Sequence, residues 1–373
     1  MAGQSKPKQL VSIQVDRFRT LLMVWYAEHA RVLPWRGVND PYRTWVSEVM
    51  LQQTRVAAVI EHYQEFLKRF PTILSLALAE EPEVLAAWSG LGYYRRARML
   101  HKASQFITRE MGGVLPSTST ELRTLPGIGE YTCAAIASIA FGESIAVVDG
   151  NVERVLLRVT GRPEEATADG RAFVQAQAQA LVPQAALDRR GNAPGDHNQA
   201  MMELGATICL PRAPLCLQCP VFPLCGTRGE HKTIPRATQT SKKSAYLLWI
   251  RKQGTATEVL LERRPSTASL MADMYELPPL PMDAVDGREP LLRVRHSITN
   301  TNYYVQVFSP RGRSDTALRS AVPAAPGDLH WVGTKTLADL PLTGLARKVL
   351  QRLDVMAVKK PAIEGSGKLP LRR

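Results

Sequence analysis

From about Gln14 to Cys225 the apolar positions recur every three or four residues, the period of an α-helix. "TRVAAVIEHYQEFLKRF" is the clearest stretch: Val56, Val59, Ile60, Tyr63, Leu67 and Phe70 share one face, which predicts a buried stripe. "RTWVSEVML" precedes it as another helix, with Gln52 and Gln53 at the turn between the two. "EPEVLAAW" carries Pro82 in a first turn, where its missing N–H leaves no bond unmade. "YRRARMLHKASQFITREMGG" stops at glycines. After the tight "LPGIG" comes the small-residue helix "YTCAAIASIAF". "DGNVERVLLRVTG" follows with Asp149 at the cap position, and "DHNQAMMELGATIC" runs straight into a group of cysteines.

The texture changes after the cysteines. Residues 227–243 are polar, basic and without period, and read as a linker. Beyond them "SAYLLWIRK", "TEVLLERR", "LLRVRHSI" and "NYYVQVFS" have the composition of strands, and "GLARKVLQRL" that of an amphipathic helix. The expected organisation is a basic flexible N-terminus (1–13), a mostly α region (14–226), the linker, an α+β domain (244–356) and a basic disordered tail (357–373).

Composition narrows the class. The chain has 373 residues, room for two or three domains at roughly 150 residues each. Its longest apolar stretch, "CAAIASIAF" followed by "SIAVV", is broken by Gly142 and Glu143, so no membrane span is expected. No signal-peptide pattern opens the sequence, and an odd set of five cysteines does not suit a disulfide scaffold, which points to a reducing, cytoplasmic compartment. Lys and Arg number 47 against 34 Asp and Glu, a net charge of +13. Such an excess favours a polyanionic partner, most often nucleic acid.

Four stretches carry candidate chemistry. Cys209, Cys216, Cys219 and Cys225 are separated by six, two and five residues, a set that suits tetrahedral zinc or an iron–sulfur cluster. Gly127 and Gly129 in "LPGIG" can present backbone N–H groups to a phosphate, although an ordinary helix–helix turn has the same sequence needs. Asp149 is a natural helix cap. Glu48 lies between Trp45 and Leu51 on its helix, apolar company that should raise its pKa, as a general acid requires.

Together these motifs resemble the helix–hairpin–helix DNA glycosylase superfamily, which includes endonuclease III. The shared order is a hairpin "LPGIG", an aspartate twenty residues past its last glycine, then four cysteines at this spacing. Endonuclease III-like lyases carry a nucleophilic lysine two residues after the hairpin, and this chain has Tyr131 there. "LPWR", "SEVMLQQT", "GLGYYRRARML" and "NQAMMELGATIC" make the chain similar to the adenine DNA glycosylase (MutY) family, which removes adenine mispaired with 8-oxoguanine. The resemblance covers about 200 residues closely and extends more weakly into a Nudix-like C-terminal domain, where the Glu-rich helix of a nucleotide hydrolase is missing after "MYELPPL".

The resemblance implies a monofunctional enzyme of base excision repair, a monomer acting on double-stranded DNA, cytoplasmic and nucleoid-associated if bacterial. It implies a 4Fe–4S cluster on the four cysteines, pinning a loop whose Arg212 can meet phosphates. Glu48 would protonate adenine, Asp149 would face the sugar, and Tyr131 and Asn151 would orient Asp149 and the transition state. Gln53 and Tyr93 match base-contacting positions, and Trp35, Arg36 and Gln199 match the adenine pocket. The family's lesion-reading Phe-Ser-His triplet has no direct match; Arg295, His296 and Ser297 stand at the corresponding stretch, with imidazole and hydroxyl in reversed order. Other readings are a thymine-mismatch or pyrimidine-lesion glycosylase, a non-catalytic lesion-binding protein, and a zinc-dependent nucleic-acid-binding protein.

Overall fold

A computed structural model describes residues 12–38, 40–184, 192–231, 239–310, 316–322 and 327–357. The expectations for the first eleven residues and for the tail from 358 lie outside the described residues. The chain divides into two compact units, one from segments up to Gln53 and from Phe106 to Pro235, the other from Thr54–Gln105 and the residues after Arg236.

The first unit is helical. It contains α1 (Ser12–His29), α2 (Pro41–Leu51), the C-terminal end of α6 (Arg95–Glu110), α7 (Ser119–Leu122), α8 (Glu130–Phe141), α9 (Gly150–Thr160), α10 (Ala168–Leu181) and α11 (Ala193–Thr207). Its core gathers Phe18, Leu22 and Trp25 of α1, Val152, Val155, Leu156 and Val159 of α9, Val174 and Leu181 of α10, and Met201 and Leu204 of α11. Each such side chain contributes about 1.5–3 kcal/mol by leaving water. The boundaries follow local chemistry. Asp149 caps α9 by accepting the Asn151 and Val152 N–H groups, and Gly161, at φ 72°, ends it in the left-handed conformation.

The second unit combines α3 (Val56–Arg69), α4 (Ile73–Ala77), α5 (Glu81–Trp88) and most of α6 with the C-terminal strands. Burial on α3 falls on Val59, Tyr63 and Phe66, with Phe70 at its C-cap; Leu67 of the predicted stripe is only half-buried, and Phe66 takes its place. The reason is aromatic packing, since Phe66 meets both Phe70 and Trp88 edge to face. The strands are β1 (Thr240–Leu247), β2 (Ile250–Gln253), β3 (Ala256–Arg263), β4 (Tyr275–Glu276), β5 (Pro279–Leu280), β6 (Leu292–Ile298), β7 (Thr301–Phe308) and β8 (Asp328–Gly333). One sheet runs β5–β1–β7–β6, the other β2–β3–β4 with β8 also on β3. α12 (Thr316–Ser320) and α13 (Gly344–Arg352) complete an α+β arrangement, with Leu345, Val349 and Leu350 of α13 packed on Val294, Val305 and Val307.

Two details differ from the pattern reading. "SAYLLWIRK" is not one strand: Leu248 and Trp249 break it, so β1 and β2 serve different sheets. Strand pairing also starts at Thr240, within the stretch read as linker, because Thr240 to Lys243 pair in parallel with Thr301 to Tyr304 while staying exposed. Backbone hydrogen bonds, not burial, make that strand end. Among the described residues, no helix is long and apolar enough to cross a membrane.

His197 on α11 is 1 % exposed, its Nδ1 has no hydrogen-bond partner, and burial with the Arg19 charge lowers its pKa to about 3. The folded protein therefore keeps this imidazole neutral where the unfolded chain would protonate it. The stability it contributes is complete above the unfolded value of about 6.5 and is lost as pH falls towards 3. Urea midpoints of His197→Leu should accordingly change less between pH 6.5 and 4 than those of the parent protein; equal slopes would remove His197 as a cause of acid lability.

Candidate active site and cysteine cavity

Asp40 caps α2 by accepting the Tyr42 and Arg43 N–H groups at 2.9 and 3.2 Å. The helix it starts is buried along nearly its whole length, and this carries Glu48 into the interior at 5 % exposure. A carboxylate there has no water to solvate it. Burial raises the Glu48 pKa to about 7; the Tyr131 hydrogen bond pulls it down, the Asp149 charge pushes it up, and Arg36 draws it down. Tyr131, in the first turn of α8, donates its hydroxyl to Glu48 Oε2 at 2.9 Å and stands 3.5 Å from Met202 Sδ. Gln52 Nε2 donates to Thr132 Oγ1 at 2.9 Å and ties the end of α2 to the same turn.

Asp149 is held by three donors. Its Oδ1 accepts from the Asn151 and Val152 N–H groups at 2.9 and 2.8 Å, and its Oδ2 from Asn151 Nδ2 at 2.9 Å. Arg154 Nη2 in turn donates to Asn151 Oδ1 at 2.9 Å and to the Gly205 carbonyl at 2.7 Å, while its Nε donates to the Cys209 carbonyl at 2.8 Å. Capping and orientation are thus one arrangement. Glu48, Tyr131 and Asp149, far apart in the sequence, share one electrostatic neighbourhood in the first unit, and Asn151 joins it through its hydrogen bond to Asp149.

Sequence reasoning missed Glu203, which anchors Arg31 and Arg36. It is fully buried and takes Arg31 Nε at 2.7 Å and Arg36 Nη2 at 2.8 Å. Burial opposes its charge, but hydrogen bonds from Arg31 and Arg36 and their charges outweigh it and bring its pKa down to about 2. Trp35 is buried beside Arg36 in the chain, and Gln199 is half-buried one turn before Glu203. The signal in the sequence was slight: a single acidic residue amid the small and apolar "AMMELGA".

The hairpin turn has Gly127 at φ 76° and Gly129 as the N-cap of α8, with no side chain completing the cap. The first N–H groups of α8 are therefore left for another acceptor. Gln53, in the first unit, is exposed and adopts φ 54°, a left-handed backbone that a non-glycine residue holds at some strain. In the second unit Tyr93 does the same at φ 48° and is 46 % exposed, with Arg96 layered between its ring and that of Trp88 at 5.4 and 5.5 Å.

His296 and Ser297 lie on opposite faces of β6. His296 is half-buried against Gly344 of α13. Ser297, on the exposed face, donates its hydroxyl to Asn302 Oδ1 at 2.7 Å, and Arg295 Nη2 donates to the same oxygen at 3.1 Å. One surface cannot present both side chains.

Cys209, Cys216, Cys219 and Cys225 line one cavity together with Val155, Ile208, Val221 and Phe222. Among the described residues no three His, Cys, Asp or Glu side chains stand so as to hold a metal ion, so the sulfurs share the cavity without being drawn together. The donor set fits a thiolate-bound group. Arg158, 2 % exposed, donates to Cys209 Sγ at 3.3 Å and to the Leu210 and Pro211 carbonyls at 2.7 and 3.0 Å. Burial pushes the Cys219 thiol up to about 11, so its ionised form needs a cationic partner inside the cavity. Arg212 lies exposed on the loop.

A helical fold with a glycine hairpin, a capped aspartate and a cysteine loop defines a class. Residues 46–183, within the helical part of the chain, match the family described as HhH-GPD superfamily base excision DNA repair protein. The chain is similar in sequence to several adenine DNA glycosylases. The human protein is 46 % identical over 224 residues, which are 58 % of this chain and 40 % of that one. The protein from Mycobacterium tuberculosis is 41 % identical over 204 residues, 54 % of this chain and 65 % of its own. The chain thus spans between two-fifths and two-thirds of the length of these relatives. Among solved structures, a thermostable thymine-DNA glycosylase aligns at TM-score 0.52 and 28 % identity, covering 57 % of this chain and 96 % of that chain. A non-covalent endonuclease III–DNA complex aligns at TM-score 0.50 and 21 % identity, over 59 % and 97 %, and shares the fold.

Gly205 is the contact that lets α11 approach the start of α9. A Cβ there would stand 2.6 Å from the Asn151 Cβ and 3.0 Å from its carbonyl. Gly205→Ala should destabilise the protein by about 1–3 kcal/mol through this overlap. An unchanged urea midpoint would show that α9 yields freely and that its packing does not hold Asp149.

Proposed function

We propose that this protein is a monofunctional DNA glycosylase that hydrolyses the N-glycosidic bond of adenine mispaired with 8-oxoguanine or guanine. The observation that supports it most is the buried Glu48: its pKa of about 7 leaves a proton available near neutrality, within the field of the Asp149 carboxylate. Adenine leaves poorly, so the reaction needs a proton on the base and negative charge near the sugar. The partner is double-stranded DNA, and the target nucleotide must first leave the stack, which takes a few kcal/mol. Glu48 then protonates the imidazole side of the base, and Tyr131, bonded to Glu48, keeps that carboxyl in place. Asp149, held by Asn151 and two backbone N–H groups, faces the developing oxocarbenium charge. Tyr131 stands where a lyase has its lysine, so strand cleavage through a Schiff base is not part of the reaction.

Trp35, Arg36 and Gln199 belong to the adenine pocket in this reading, with Glu203 fixing Arg36. Gly127 and Gly129 receive a phosphate, and Gln53 and Tyr93 contact bases. Cys209, Cys216, Cys219 and Cys225 would hold a 4Fe–4S cluster, a structural group that ties the 210–224 loop to α9 through Arg158. In this reading the protein acts as a monomer, cytoplasmic and nucleoid-associated if bacterial. The C-terminal domain is Nudix-like and reads the base opposite adenine. His296 is turned to α13 and the Ser297 hydroxyl is given to Asn302, which favours a second location for that reading. Thr299 and Asn300, exposed at the tip of the same β6–β7 hairpin with Thr299 at φ 50°, would meet the base in this reading.

The test is a single-turnover assay on duplexes with adenine or thymine opposite 8-oxoguanine or guanine, with alkali to reveal abasic sites. Adenine should be released, and the rate should fall as pH rises through about 7, as Glu48 loses its proton. Asp149→Asn and Glu48→Gln should lose at least about a thousandfold in rate while still binding duplex. Thymine release, or full turnover by Asp149→Asn, would overturn the assignment. Purified protein should be yellow-brown with stoichiometric iron, whereas a colourless protein carrying zinc would overturn the cluster.

A further inference from the structure

The second unit joins the turn that bears Tyr93 to the C-terminal helix α13 by a chain of hydrogen bonds. Arg347 Nε donates to Ser89 Oγ at 2.8 Å, and Ser89 Oγ donates to the Leu342 carbonyl at 2.6 Å. The Tyr94 hydroxyl reaches the same carbonyl at 3.2 Å. On the other side His62 Nε2 meets the Ser89 carbonyl at 3.1 Å. Ser89 is 2 % exposed, Tyr94 5 % and Leu342 0 %, so these bonds are shielded from water and from exchange with it.

The segment held this way is strained. Gly90 is at φ 113°, Gly92 at 69° and Tyr93 at 48°, and a Cβ on Gly90 would stand 2.8 Å from His62 Nε2 and 3.6 Å from Arg347 Cδ. A tyrosine with positive φ persists only where its surroundings over-determine it. Arg96 supplies part of that constraint, bonding the Gly92 carbonyl at 3.2 Å while layered on the Tyr93 ring. Ser89 and Arg347 fix the other end of the turn. α13 also contacts β6: Gly344 packs on His296, and Lys348 Nζ donates to the Arg295 carbonyl at 2.9 Å.

We propose that Arg347 is a positioning residue for DNA recognition, acting through Ser89 to hold the 89–94 turn in the conformation that presents Tyr93. The C-terminal domain then does more than meet the opposite base: it sets a base-contacting side chain of the helical part. The inference rests on the glycosylase reading for the role of Tyr93, and its test is separable from that reading.

The first measurement needs no DNA. In the full-length protein, Arg347→Ala should raise amide hydrogen exchange at Gly90 to Tyr94 by about tenfold or more, with α8 and α9 unaffected. Arg347→Gln should restore most of the protection, because its amide nitrogen lies as many bonds from the backbone as the Nε it replaces. The second measurement is a double-mutant cycle on affinity for duplex containing adenine opposite 8-oxoguanine. Arg347→Ala should weaken binding about tenfold in the parent protein and little in a Tyr93→Ala background, the mark of two residues acting as one. Unchanged exchange at the turn, or an equal effect of Arg347→Ala with and without Tyr93, would overturn the proposal. Loss of adenine release by the parent protein would instead overturn the glycosylase reading and leave the exchange experiment decisive for Arg347.

Discussion

A carboxyl group removed from water must be neutral, paired or hydrogen-bonded, and Glu48 is the point where the structure meets that requirement. α2 is buried along almost its whole length, so the helix cannot be placed in the core without placing Glu48 there too. The Tyr131 hydroxyl is the partner supplied, and it comes from the first turn of α8. That turn is in place because the Gly127–Gly129 hairpin lets the chain reverse in five residues and because Gln52 bonds Thr132. The hairpin, the two helices and the buried carboxyl are therefore parts of one constraint.

Two acidic residues near one another differ in state because their surroundings differ. Glu48 has burial against it and a neighbouring negative charge, and both favour the proton. Glu203 is buried as deeply, yet two arginines keep it ionised. Asp149 is neither isolated nor paired with a cation; three N–H donors hold it at the start of α9. The raised pKa of Glu48, the lowered pKa of Glu203 and the hydrogen-bonded cap at Asp149 follow from these three environments. Arg154 and Arg158 then link the same helix α9 to the cysteine loop, so the loop and the capped aspartate are held by neighbouring turns of one helix.

Much of this was legible beforehand. Asp149 as a cap, the glycine stop of α6, the apolar company of Glu48 and the α+β character of the last third all depend on residues close in sequence. What was not legible depended on partners far away. Phe66 displaced Leu67 in the core because Trp88 lies across from it. β1 extended back to Thr240 because β7, some sixty residues later, offered a parallel edge to four exposed polar residues. Glu203 gave little sign of its role because Arg31 and Arg36 are over 160 residues away.

By itself, the amino-acid order determined the periods of the helices and strands, the caps and glycine stops, the thiol set and the family likeness, since each is written in local spacing or side-chain type. The folded chain alone decided protonation and orientation. It raised the Glu48 pKa by enclosing it, lowered that of Glu203 by pairing it, turned His296 and Ser297 to opposite faces, and joined Arg347 to Ser89. The physical reason is that a pKa or a side-chain direction depends on the dielectric and the donors around the group, and those are brought by segments distant in the chain.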